Sequence, residues 1–186
     1  MSGRRIVSLL PSTTEIVAAL DGLDRLVGRS HECDHPPGVE ALPVCCRPRI
    51  DIHAAGHEID RQVKQRLAEA ISIFEIDHRQ LSELQPDLVL TQDQCEVCAV
   101  SLADVEAALG RSTGLATRVL SLAPANLADA WQTIALVGEA MERSDRAAEV
   151  IAELQSRLQT LAESANSQPV ADRPRVACIE WIEPLM

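Results

Sequence analysis

The chain has 186 residues, 46% of them hydrophobic and 24% charged, with a formal net charge of −11. That composition is ordinary for a globular protein able to bury one good core, and the acidic balance excludes nucleic acid, which asks for a basic surface, as a partner. No stretch approaches the roughly 20 apolar residues of a membrane span, so direct membrane insertion is not expected.

Ile6 to Leu10 reads as a buried strand. It is too short for the apolar core of a secretory signal despite the preceding Arg4-Arg5. The expectation is therefore a cytoplasmic chain as written, or a periplasmic or cell-surface one if a leader belongs in front of it. Ser12-Thr13-Thr14-Glu15 has the form of a capping box, opening a helix with Ile16, Val17 and Leu20, and Asp21-Gly22 supplies a left-handed glycine stop. Leu26 to Gly28 is a second short strand. It runs into the loop Ser30-His31-Glu32-Cys33-Asp34-His35-Pro36-Pro37.

Residues 42 to 52 give no clear pattern, and Cys45-Cys46-Arg47-Pro48-Arg49 within them reads as a surface loop. Glu58 to Ala70 is amphipathic. Ile71 to Ile76 contains a short strand, and Asp77 caps a helix that stops before Pro86. Leu88 to Leu90 is a buried strand that delivers Gln92, Asp93, Cys95 and Cys98 to its carboxyl end. Ser101 caps the next helix, Arg118 to Leu122 is a strand, and Asn126 opens a helix through Val137. Ser144 caps a long helix to Ala165, roughly 33 Å at 1.5 Å per residue, with Val150, Ile151, Leu154, Leu158 and Leu161 on one stripe. A polar linker precedes a last strand, Arg175 to Ile182, on which Cys178 faces inward.

This βαβα alternation implies an α/β fold, a mostly parallel Rossmann-like lobe covered by helices on both faces. The expected division is a ligand-binding lobe over 1–143, a bridging helix and linker over 144–173, and the first strand of an incomplete second lobe over 174–186. The stripe of the long helix and the last strand are expected to leave an apolar face exposed. In open sheets of this kind, ligands sit beyond the carboxyl ends of the strands.

The sequence resembles the cobalamin and iron-siderophore substrate-binding proteins of ABC transporters, whose two α/β lobes are joined by one rigid helix. The resemblance is carried by Arg5-Ile-Val-Ser-Leu-Leu-Pro-Ser-Thr-Thr-Glu15, Leu26-Val-Gly-Arg-Ser-His-Glu-Cys-Asp34, Pro36-Pro37, Leu84-Gln-Pro-Asp-Leu-Val-Leu-Thr-Gln92 and Pro174-Arg-Val-Ala-Cys-Ile-Glu-Trp181. It is nearest to a cobalamin-binding branch with His-Glu-Cys-Asp in the second loop and Cys-x-x-Cys in a later one. It implies a binding protein, not an enzyme, that takes a small metal chelate, either cobalamin or another corrinoid or an iron chelate, and hands it to an ABC transporter permease. It covers the family's first lobe and bridging helix, so the chain is expected to be a truncated form that binds a corrinoid weakly or not at all.

Candidate ligand contacts follow. Ser8, Pro11, Ser12 and Thr13 end the first strand and begin its helix, whose N-terminus offers N–H groups to an anion. His31 and Glu32 leave the second strand, and an imidazole is a suitable axial ligand for cobalt. Arg47 can pair with acidic groups of a corrinoid or siderophore. Gln92 and Asp93 sit at the end of the fourth assigned strand. Glu180 and Trp181 follow the bridging helix, where an indole can stack on a flat macrocycle.

His31, Cys33, Cys95 and Cys98 also form a candidate metal set, with nitrogen and thiolate donors suited to zinc or iron. Cys95-x-x-Cys98 reads first as part of a ligand wall or as structural, and last as a redox pair. The competing function is a metal- or thiol-dependent protein built on that cluster. Against an enzyme, the sequence has no Gly-rich phosphate loop, no His-Glu-x-x-His and no nucleophile elbow.

Overall fold

The computed structural model describes residues 4–69, 71–93, 100–110, 117–167, 169, 173–179, 182 and 185. Its sheet has six strands in the order β4-β3-β2-β1-β5-β6. These are β1 (Ile6–Ser8), β2 (Leu26–Ser30), β3 (Val44–Pro48), β4 (Phe74–Ile76), β5 (Leu88–Gln92) and β6 (Arg118–Leu122). Neighbouring strands are parallel except at the β4 edge, which runs antiparallel to β3. The α/β, mostly parallel lobe expected from the alternation is what forms. β1 and β5 carry its centre: Ile6, Val7, Leu88, Val89 and Leu90 are fully buried, as a strand covered on both faces requires.

The helices are α1 (Pro11–Ala19), α2 (Gly56–Ala68), α3 (His78–Leu84), α4 (Leu102–Gly110), α5 (Leu127–Ala140) and α6 (Ser144–Asn166). One apolar layer joins Ile6, Leu88 and Leu90 to Val17 and Leu20 of α1, Ile134 and Val137 of α5, and Ala147 and Val150 of α6. The other joins Val7 and Val89 to Leu81 of α3 and to Val105 and Ala108 of α4. Helices α5 and α6 cross closely because Gly138 faces Ala147, and a Cβ on Gly138 would lie 2.5 Å from the Ala147 Cβ.

Several local expectations are corrected. Ser12 is not a cap. Leu10 holds the extended N-cap backbone and Pro11 occupies the first turn, so Ser12 lies inside the helix with its side chain exposed. Proline at this position loses no helical hydrogen bond, because its N–H would be an orphan. β1 accordingly ends at Ser8, before Leu10. The left-handed residue after α1 is Asp21 (φ 56°), not Gly22. Gly22 is needed for space, since its Cβ would collide with Met141 Cε and lie 3.1 Å from the Val17 carbonyl oxygen.

Ser144 is the first residue of α6 and Arg143 its N-cap, with no side-chain cap bond. Asp77, Asn126 and Ser101 do cap: their side chains accept from the amides of Gln80, Asp129 and Asp104 at 2.9, 3.1 and 3.2 Å. Cys45-Cys46-Arg47-Pro48 is not a surface loop but strand β3, with both cysteines buried. Its proline-containing composition hid a strand that pairs with β2 and β4 and carries Pro48 as its last residue.

The expected last strand is absent from Arg175–Ile179, which is exposed and without strand pairing, and Cys178 is exposed, not packed. A strand needs a partner ladder, and the six-stranded sheet has β4 and β6 as its edges, with nothing from this segment added. The exposed apolar stripe is present, with Leu158 43% and Leu161 66% exposed. No helix among the described residues is long and apolar enough to cross a membrane.

Candidate ligand crevice

β1 and β5 are adjacent and parallel, yet the chain leaves them toward opposite faces. After β1 it enters α1, in the layer with α5 and α6; after β5 it reaches α4, in the layer with α3. This is the topological switch point of the sheet, the place beyond the carboxyl ends of the strands where open α/β sheets hold their ligands. The ends of β1, β2, β3, β5 and β6 all fall on this edge, because these five strands are mutually parallel. It therefore gathers Pro11 and Ser12, His31 and Glu32, Arg47, and Gln92 and Asp93. Sequence reasoning placed these residues on strand ends; the strand order brings them to one side of one sheet.

Beneath the rim lies a buried hydroxyl cluster. Ser8 Oγ and Thr13 Oγ1 are 2.6 Å apart, and Thr14 Oγ1 lies 2.8 Å from Ser8 Oγ. Ser8 Oγ and Thr13 Oγ1 also lie 3.0 and 3.1 Å from the Leu10 carbonyl oxygen. Ser8 and Thr13 are 0% and 1% exposed, so their hydroxyls fix the β1–α1 turn from below rather than line the crevice. Pro11 and Ser12 are the members of this group that reach the surface.

The loop after β2 is held at three points. His31 packs its ring against Phe74 of β4, with centroids 5.9 Å apart. Its Nδ1 is 3.4 Å from Ser30 Oγ and its Nε2 3.9 Å from Glu32 Oε1. Burial pushes the imidazole pKa below its ordinary value, against the raising effect of the Glu32 carboxylate. The ring is thus kept neutral at neutral pH, the form that offers a lone pair to a metal. Cys33 is fully buried, and desolvation raises its thiol pKa, partly offset by the hydrogen bond from Thr14. Burial also raises Cys46, and it pushes Cys45 up to about 12. These three are protonated core thiols.

Arg47 projects from β3 and is exposed, as is Asp93 past β5, while Gln92 is half-buried. Cys95, Cys98, Glu180 and Trp181 lie outside the described residues. Among the described residues, no three His, Cys, Asp or Glu side chains come together to hold a metal ion.

Two residues of this region escaped the sequence reading. Thr14 ties Ser8 to Cys33, and Arg29 binds the two ends of the β2–β3 loop. An arginine inside a strand whose alternate positions are buried (Leu26, Gly28, Ser30) was the available signal for the second.

Comparison with known proteins agrees with this arrangement. A profile of the periplasmic binding protein family matches residues 6–183. No curated protein matches the chain. Among solved structures, the heme-binding protein BhuT in complex with two hemes superposes with a TM-score of 0.62 at 17% identity, covering 90% of this chain and 52% of that one. A heme-binding protein from Pseudomonas aeruginosa gives 0.61 at 20% identity, with 90% and 50% coverage. The vitamin B12 binding protein BtuF of Vibrio cholerae gives 0.59 at 21%, with 90% and 53% coverage. At these identities the likeness is one of fold, and this chain spans about half the length of each of these structures. With the family profile running over nearly the whole chain, from β1 past the end of α6, the protein belongs to the periplasmic binding protein family.

Proposed function

We propose that the chain is the ligand-binding lobe of an ABC-transporter substrate-binding protein for a metal chelate, either a corrinoid such as cobalamin or an iron chelate such as heme. The observation that carries this reading is the β1/β5 switch point, with the imidazole of His31, the carboxylate of Glu32 and the cation of Arg47 on the same carboxyl edge of the sheet. A neutral imidazole suits an axial position on iron or cobalt, and an arginine suits the carboxylates or phosphate that such ligands carry. Pro11, Ser12, Gln92 and Asp93 complete the contact set on this lobe, and Glu180 and Trp181 would meet the ligand from beyond α6.

In this reading residues 1–143 form the binding lobe, 144–173 the bridging helix and linker, and 174–186 the start of a second lobe. The partner is an ABC transporter permease, and the working location is the periplasm or cell surface. The role is carriage, not catalysis.

The test is absorbance titration of the purified chain with hemin and with cyanocobalamin, alongside His31→Ala and Arg47→Ala. A saturable spectral shift with one probe, weakened in both variants, is the expected result. Wild-type protein that binds neither probe, or variants that bind as wild type does, would remove this reading.

A further inference from the structure

We infer that Arg29 is the positioning residue of the crevice: its guanidinium clamps the departing and returning ends of the His31–Leu42 loop and so sets where His31 and Glu32 stand. Arg29 Nη1 donates to the Ser30 carbonyl at 3.0 Å and to the His31 carbonyl at 3.4 Å. Its Nη2 donates to the Glu40 carbonyl at 3.0 Å. The Arg29 backbone amide donates to the Pro43 carbonyl at 2.9 Å. One residue thus holds the loop where it leaves β2 and where it returns to β3.

Between those ends, side chains anchor the loop, with His31 against Phe74, Cys33 beneath Thr14 and Val39 buried, but its backbone has no comparable tie. Its backbone bonds are short-range turns: Cys33 to Ser30, Val39 to Pro36, Ala41 to Gly38 and Leu42 to Val39. Such a segment opens locally at small cost unless something ties its ends. A planar fork with several fixed donors can serve three carbonyls at once; a lysine ammonium on a flexible stem presents its donors from one point. Nε is buried with no hydrogen-bond partner among the described residues, so the clamp works through the two terminal nitrogens. Carbonyl partners also explain why charge alone is not enough: the geometry of the fork, not an ion pair, does the holding.

The clamp's bearing on ligand rests on the function proposed above, whereas its effect on the loop does not. The experiment therefore reads both, on the full chain, with Arg29→Met, Arg29→Lys and a control. The control is Arg25→Met, which removes an arginine–carbonyl bond of 2.9 Å to Met141, remote from the loop. Amide exchange at Cys33, Val39, Ala41 and Leu42 should quicken by about tenfold or more in both Arg29 variants and stay unchanged in Arg25→Met, with the β1 and β5 amides unaffected throughout. Hemin or cyanocobalamin, whichever the wild type binds, should bind more weakly to both Arg29 variants and normally to the control.

Unchanged exchange in the loop overturns the inference, and so does exchange that quickens equally over the whole sheet. A loosened loop with undiminished probe binding overturns the positioning role. If wild-type protein binds neither probe, the proposed function fails and the exchange pattern alone decides whether Arg29 is the clamp.

Discussion

Thr14 donates its hydroxyl toward Cys33 Sγ across 3.1 Å, joining the first turn of α1 to the loop after β2. The same oxygen is 2.8 Å from Ser8 Oγ and 3.1 Å from the Leu10 carbonyl oxygen. Two strand ends and a helix start are therefore registered by one buried side chain. Thr14→Val keeps the shape and removes the hydroxyl, leaving Ser8 and Cys33 with one partner fewer. The expected loss is about 1–3 kcal/mol of unfolding free energy, the cost of an unmet buried polar group. Urea denaturation checks it, and a variant as stable as wild type would show the cluster to be incidental.

Gly28 lies where β1, β3 and α3 converge. A Cβ there would come within 2.6 Å of Cys45 Sγ, 2.8 Å of Leu84 Cδ1 and 3.2 Å of Val7 Cγ2. Gly28→Ala is expected to cost about 1–3 kcal/mol through overpacking. Shortening Cys45 to alanine should relieve part of that strain, so the double variant is expected to be more stable than the sum of the single effects implies. Strict additivity in a four-way denaturation cycle would place the clash elsewhere.

The thiols should divide sharply in reactivity. Cys33, Cys45 and Cys46 are buried, and burial raises all three pKa values, that of Cys45 to about 12, whereas Cys178 is exposed. The thiolate is the reactive species. In a background with Cys95 and Cys98 replaced by serine, a disulfide reagent at pH 8 should titrate Cys178 quickly and the other three only as the protein unfolds. Peptide mapping after a brief pulse reads the outcome; fast labelling of Cys45 would contradict the burial argument.

His31 gives stability a pH dependence of definite sign. Its folded pKa is lowered from the ordinary 6.5, chiefly by burial. The unfolded chain therefore binds the proton more readily than the folded one, and linkage makes the contribution complete above the unfolded value. It is lost progressively as pH falls from about 6.5 through the lowered folded value. Replacing His31 with asparagine should flatten the fall in unfolding free energy between pH 7.5 and pH 5, measured by urea titration at each pH. An equally steep fall in the variant would assign the slope to other groups.

Much of the fold is legible in local sequence because its causes are local. Leu88 to Leu90 is apolar without alternation and becomes the central strand; Asp77, Ser101 and Asn126 cap because their side chains reach amides two or three residues on. The errors are equally local in origin. Ser12-x-x-Glu15 satisfies a capping pattern, but with Leu10 as N-cap and Pro11 as first helical residue the helix starts two residues earlier. Cys45-Cys46-Arg47-Pro48 lacks the apolar run of a buried strand, and it pairs because β2 and β4 stand on either side of it.

The sequence by itself determined the helices and most of the strands, the acidic character of the chain, and which polar residues follow those strands. Those follow from periodicity, caps and composition, which act over a few residues. Only the tertiary structure decided that β1 lies between β2 and β5, and hence that His31, Arg47 and Gln92 share one edge. The same holds for the burial of Cys33 beneath Thr14 and for the grip of Arg29 on both ends of its loop. Such relations depend on contacts between residues far apart in the chain. A dipeptide carries no record of which distant strand will supply its neighbour, so the crevice exists only once the strand order is set.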